Sequence, residues 1–163
     1  MDETVLGPAL LTEPELEAWG RAIGGTAQPP VVLALRGELG AGKSVLARAV
    51  ARGAGVSGPL PSPTFNLVYR YEAPGGVVVY HLDLYRLEDP EDVWELGWGE
   101  LGEDRDMVLI EWPERAESLL PERRWDIYLQ IPWPGAAVRR VTAEARGGAA
   151  ALPSLPAARS ART

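Results

Sequence analysis

Gly37-Glu38-Leu39-Gly40-Ala41-Gly42-Lys43-Ser44 satisfies the spacing G-x-x-x-x-G-K-[ST] at every defined position. Glycines at these places let a loop wrap with its backbone N–H groups pointing inward, which is how a chain cradles phosphates. A helix opening directly after the loop adds the partial positive charge of its N-terminus. In that arrangement Lys43 reaches the β- and γ-phosphates of a nucleoside triphosphate, and the Ser44 hydroxyl offers an oxygen to Mg²⁺. Such a site also uses an acid at the end of a neighbouring strand. Glu111, closing the apolar run Met107 to Ile110, has that position; the alternative is a solvated carboxylate at a strand exit. Trp112 beside it is either part of the site or plain core.

Asp83 is the second acid of interest. In Val79-Tyr80-His81-Leu82-Asp83-Leu84-Tyr85, strand alternation puts Val79, His81, Asp83 and Tyr85 on one face. His81 could orient Asp83 or be oriented by it, or it is a satisfied histidine on a partly exposed face. Thr64, after Ser62-Pro63, lies where nucleotide-sensing threonines sit in other proteins with such loops, so Ser62 and Thr64 are candidates for a switch loop responding to the γ-phosphate. A threonine after proline is also an ordinary turn residue.

These residues need a scaffold. Val31 to Leu35 is continuously apolar and β-branched at its start, which predicts a strand buried on both faces of a parallel sheet. A helix from Val45 to about Ala54 follows the glycine loop. Ahead of the strand, Thr12-Glu13-Pro14-Glu15 has capping-box spacing and Leu16, Trp19 and Ile23 recur at helical spacing, so a helix is expected up to Gly24-Gly25. Three prolines in residues 58–64 make a stiff loop. Phe65 to Tyr71 and Val77 to Leu84 read as a hairpin around Ala73-Pro74-Gly75-Gly76. Asp89-Pro90-Glu91-Asp92 opens a short helix, Met107 to Ile110 is a second parallel strand, and Trp125 to Ile131 with Val138 to Ala145 form a closing hairpin. The fold class is therefore α/β: a small three-layer, P-loop NTPase-like fold with a mixed, mostly parallel sheet and β-hairpins. Residues 1–146 are expected as a single domain and 147–163, rich in Ala, Pro, Ser and Arg, as a flexible tail.

Composition narrows the chemistry further. The 163 residues carry 16 Lys+Arg against 23 Asp+Glu, a net charge of −7 that argues against a dedicated nucleic-acid binder. With no cysteine and one histidine, thiolate chemistry, disulfides and a His-rich zinc site are excluded. The start of the chain lacks the pattern of a secretory signal and the apolar runs fall far short of the ~20 residues of a membrane span, so a soluble cytoplasmic protein without a membrane partner is expected.

Four segments in order, GELGAGKS (37–44), SPTFNLV (62–68), HLDLYRL (81–87) and IEWPE (110–114), resemble the TsaE (YjeE) family of small bacterial P-loop ATPases, over about residues 4 to 145. The resemblance implies a Mg²⁺-dependent ATPase that supports formation of threonylcarbamoyladenosine in tRNA with the TsaD and TsaB proteins, meeting tRNA only through that complex. It places Leu39, Gly40, Ala41, Gly42, Lys43 and Ser44 on the phosphates, Ser44 and Glu111 on Mg²⁺, and Asp83 near the γ-phosphate as the water-positioning acid. Trp112 looks like the family's tryptophan beside the nucleotide, and Thr12 and Arg139 resemble residues lining it. Together these imply Asp83, Lys43 and Glu111 as catalytic residues. Ser44 stands where the family usually has threonine, and the Ala/Pro/Arg tail departs from it.

Two other readings compete. A P-loop with Mg²⁺ ligands also serves a small-molecule kinase, although no arginine cluster occurs before Arg123-Arg124 to act as a lid. A non-catalytic nucleotide-sensing adaptor is the other. Val93, Trp94, Leu96, Trp98 and Leu101, in a segment broken by Gly97 and Gly99, either form an outward patch for a second protein or cover the sheet.

Overall fold

The computed structural model describes residues 4–61 and 67–156, so Ser62 and Thr64 lie outside the described residues. In chain order the elements are β1 (Val5–Thr12), α1 (Glu13–Thr26), β2 (Val31–Arg36), α2 (Lys43–Gly53), β3 (Val68–Glu72), β4 (Val78–Asp83), β5 (Asp106–Glu111), β6 (Arg124–Gln130) and β7 (Val138–Arg146). Among the described residues they build a seven-stranded sheet in the order β1-β7-β6-β2-β5-β4-β3. Parallel pairing joins β6, β2, β5 and β4 in its centre. Antiparallel pairing adds the hairpins β3–β4 and β6–β7 and the edge strand β1. The expected mixed α/β sheet with hairpins is thus present, partly parallel, with three parallel and three antiparallel pairings among the described residues, and its two central strands β2 and β5 carry the apolar runs.

Each face of the sheet has its own core. On one, α1 and α2 pack over Leu33, Leu35, Leu109, Ile127 and Val79. On the other, 3₁₀ segments Pro90–Leu96, Trp98–Glu100 and Pro113–Leu119 cover Leu82, Leu84, Val108 and Ile110. The helix expected from Asp89 is one of these: the Asp89 carboxylate accepts from the Glu91 N–H at 3.0 Å, and the segment ends at Gly97 with φ +81°. The apolar patch divides accordingly. Val93 and Trp98 are core, Trp98 Nε1 donating to the Leu119 carbonyl at 2.8 Å, whereas Trp94 is 54% exposed.

Two sequence expectations need correction, and one strand was not expected. Gly24-Gly25 does not stop α1, which runs to Thr26. A Cβ on Gly24 would stand 2.0 Å from the Val50 carbonyl oxygen, and one on Gly53 2.0 Å from that of Arg21, so these glycines serve the close crossing of α1 over α2. The edge strand β1 was not foreseen, because Gly7-Pro8 interrupts its alternation at an irregularity between Leu6 and Ala9. Finally, residues 147–156, expected as the start of a flexible tail, pack on the core. Trp19 Nε1 donates to the Pro153 carbonyl at 3.0 Å, Trp125 Nε1 to that of Ala150 at 2.7 Å, and Leu152 and Leu155 join the helical-side core. Indole N–H groups buried in a core need acceptors, and a chain segment without its own helix or strand has carbonyls to spare.

Candidate functional site

β2 ends at Arg36, the glycine loop follows, and α2 opens at Lys43 with Gly42 in the left-handed region at φ +108°. The loop closes on itself through the Ala41 N–H to the Glu38 carbonyl at 3.0 Å, and its tip residue Leu39 is 80% exposed. At Gly37 a side chain is excluded, since a Cβ would lie 2.5 Å from the Leu129 carbonyl oxygen.

Because β4, β5 and β2 are adjacent and parallel, their C-terminal ends bring Asp83, Glu111 and the loop to one edge of the sheet. Asp83 sits opposite Glu111 in register. Ser44 Oγ donates to Glu111 Oε1 at 2.8 Å and lies 3.0 Å from Oε2. Lys43 is 5% exposed; its ammonium donates to the Gly37 and Glu38 carbonyls and lies 3.6 Å from the centre of the Trp112 ring. Burial lowers the Lys43 pKa, against the opposing charges of Glu111, Glu114, Asp83 and Glu38. Burial raises that of Asp83, against the Tyr85 N–H that donates to its Oδ1 at 3.0 Å.

Trp112 is held by an unusual backbone. It has φ +57° and precedes Pro113, a conformation costly for a bulky residue and disfavoured before proline. This turn sends the indole back over Lys43, where the Tyr85 ring packs on it at 4.9 Å between centroids.

On the other side of the loop, Thr12 and Arg139 meet the glycines. A cavity of about 210 Å³ is walled by Thr12, Gly40, Ala41, Gly42 and Arg139, with Leu16, Val45 and Ala136 adding apolar surface. Thr12 caps α1, its hydroxyl accepting from the Glu15 N–H at 3.3 Å while its own N–H donates to the Glu15 carboxylate at 2.9 Å. Arg139 donates to the Ala136 and Val138 carbonyls and at 3.2 Å to that of Gly40, tying the β6–β7 connection to the loop. The apolar walls are not legible in the sequence, where Leu16 reads only as an apolar helix position and nothing singles out Ala136. Of the two readings of His81 the partnership with Asp83 is absent; the histidine is satisfied, on a buried and not a partly exposed face, its Nε2 meeting Glu111 Oε2 at 2.5 Å. No helix among the described residues is long and apolar enough to cross a membrane.

A glycine loop joining a central parallel strand to a helix, with an acid at the end of the next strand, defines a P-loop NTPase-like α/β protein. Residues 10–136 match the family model described as threonylcarbamoyl adenosine biosynthesis protein TsaE, and the chain belongs to that family, which acts in tRNA threonylcarbamoyladenosine biosynthesis. It is 40% identical over 103 residues to the TsaE protein of Haemophilus influenzae, a match spanning 63% of each chain and so less than two thirds of that relative. To the TsaE protein of Rickettsia bellii it is 36% identical over 123 residues, 75% of this chain and 84% of that one. For Bacillus subtilis TsaE the figures are 34% over 116 residues, 71% and 72%. The crystal structure of Bacillus subtilis YdiB is similar with a TM-score of 0.65 at 24% identity, over 90% of this chain and 87% of that one, which shows the shared fold.

Proposed function

We propose that the protein binds ATP with Mg²⁺ and hydrolyses it, weakly alone and faster with the TsaD and TsaB proteins, in support of threonylcarbamoyl transfer to adenosine in tRNA. It meets tRNA only through that complex. The observation that carries this reading is the convergence of Lys43, Ser44, Glu111, Asp83 and Trp112 around one loop at the C-terminal ends of β2, β4 and β5.

The donor set fits the ion. A hydroxyl and a carboxylate 2.8 Å apart are two hard oxygens, and Mg²⁺ is usually held by one or two protein oxygens with the rest supplied by phosphate and water. Ser44 and Glu111 would hold it; when bound it neutralises charge on the phosphate oxygens. The loop amides from Leu39 to Ser44 bind the phosphates, and Lys43 exchanges its carbonyl partners Gly37 and Glu38 for phosphate oxygens. Asp83, with one oxygen fixed by the Tyr85 N–H, orients the attacking water. The cavity bounded by Leu16, Val45 and Ala136 takes the nucleoside end, with Thr12 and Arg139 at its rim.

The test is ATP binding and turnover for the wild type, Lys43→Ala and Asp83→Asn, each alone and with TsaD and TsaB. Stimulated turnover abolished by either substitution is expected. Binding without any turnover in the full complex would make the protein a nucleotide-sensing adaptor instead.

A further inference from the structure

Glu111 leaves β5 only 3% exposed, and both of its oxygens are engaged. The Ser44 hydroxyl lies between them, and His81 Nε2 meets Oε2 at 2.5 Å. A carboxylate only accepts, so Nε2 is the protonated nitrogen and donates. His81 is the chain's one histidine and is 2% exposed. Strand register creates the contact. His81 is opposite Leu109 and Asp83 opposite Glu111, so the imidazole sits one pleat behind the acids on their own face and reaches forward to Glu111.

Packing alone gives no reason for an imidazole here. Its strand neighbours on that face are Val79 and Asp83 and, across the ladders, Met107, Leu109 and Glu111 of β5 and Tyr69 of β3 directly opposite; of these Val79, Met107 and Leu109 are buried and apolar. Burying a polar ring among them carries a desolvation cost that a single hydrogen bond roughly offsets. What the ring adds is direction. A carboxylate held by Ser44 alone can rotate about its last bond; with Oε2 tied from behind by a ring that is itself packed, the plane of the group is set and Oε1 remains toward Ser44.

We propose that His81 is a positioning residue for Glu111: its Nε2–H fixes the carboxylate so that Glu111 and the Ser44 hydroxyl present a preset pair of oxygens to the divalent cation that accompanies a nucleotide. The proposal rests on the nucleotide reading of the site, and it assigns His81 to Glu111, leaving Asp83 oriented by its own turn.

The test is calorimetric binding of a non-hydrolysable ATP analogue over a range of Mg²⁺, for wild type, His81→Phe, His81→Gln, Glu111→Gln and the double variant His81→Phe/Glu111→Gln. In His81→Phe the Mg²⁺-free affinity should stay within about twofold of wild type, while the Mg²⁺ needed for half-maximal strengthening rises about 10–100-fold, as when other outer partners of a metal site are removed. His81→Gln, whose amide N–H extends about as far as Nε2, should recover most of that response, and His81→Phe should add nothing in the Glu111→Gln background. An unchanged Mg²⁺ requirement in His81→Phe overturns the positioning role and leaves the nucleotide reading standing. Equal loss of affinity with and without Mg²⁺ overturns it too, assigning His81 to packing. A wild type that binds no analogue, or whose affinity ignores Mg²⁺, overturns both. Should His81→Phe fail to fold, His81→Asn, too short to reach Glu111, is read against the same outcomes.

Discussion

Asp126 and Glu111 are both buried carboxylates on parallel strands of one sheet, and their partners differ in kind. Asp126 is fully buried and faces three guanidinium groups: Arg36 at 3.0 and 3.1 Å, Arg124 at 3.0 Å, and Arg146. Arg36 is itself clamped by both Glu117 oxygens at 2.8 Å. Burial pushes the Asp126 pKa up, but the Arg124 and Arg146 hydrogen bonds and the Arg36 charge outweigh it and leave it lowered. Glu111 is held by a hydroxyl and an imidazole and, among the described residues, makes no ion pair with lysine or arginine. Lys43 is close enough to be influenced by its charge yet spends its N–H groups on loop carbonyls. A carboxylate whose charge is already neutralised by guanidinium groups is a structural post; one held by a hydroxyl and an imidazole N–H keeps its field for something that arrives. The difference separates the two acids more clearly than burial does.

Four measurements sharpen or break this contrast. Asp126→Ala should cost about 3–5 kcal/mol in denaturant unfolding, because it strands guanidinium groups around a buried vacancy. A loss no larger than a surface substitution would end the distinction. Lys43→Ala comes next: ATP affinity should fall by about 1.5–3 kcal/mol with the one charge-assisted contact, while unfolding changes little. Unchanged affinity would remove the phosphate role. Glu111→Gln should alter unfolding stability by less than about 1 kcal/mol but weaken Mg²⁺-dependent nucleotide binding and turnover together. If it destabilised as much as Asp126→Ala, both acids would be structural.

The smallest effect is in the pH dependence. The Asp126 pKa is lowered in the fold, so its stabilisation is present above the ordinary carboxylate value of 3.8 and is lost as pH falls through its folded value. Asp83 is raised by burial, so its charged form costs stability at neutral pH, and that cost fades as pH falls through its folded value and is gone below 3.8. Asp83→Asn should therefore be slightly more stable than wild type at pH 7 and lose the advantage in acid. Asp126→Asn should be less stable at pH 7, with the gap closing in acid. Melting curves from pH 3 to 7 on both variants check the opposite signs.

The glycine loop, the capping box at Thr12 and the acid ending the 107–110 run were legible because each is local. A phosphate-cradling loop needs particular backbone freedom at successive residues, an N-cap needs a hydroxyl three residues before a glutamate, and a doubly covered strand needs an unbroken apolar run. Less was visible wherever one residue type serves two ends. Gly24 has the mark of a helix stop and is a crossing point, because the atoms that forbid a side chain there belong to α2. Trp98 and Trp94 occupy one short segment, and only the tertiary packing makes the first a core residue, with the Leu119 carbonyl accepting from its Nε1.

By itself the sequence determined the glycine loop between strand and helix, its lysine and hydroxyl, the central apolar strands and the acids that end them, since these depend on neighbours within a few residues. Tertiary structure decided that His81 meets Glu111 and not Asp83, that Trp112 lies over Lys43, that Arg139 reaches Gly40 from a hairpin 99 residues away, and that residues 147–156 close over Trp19 and Trp125. The reason is register and crossover: which side chains meet across parallel strands is set by the pairing of segments far apart in the chain, and no local spacing encodes that pairing.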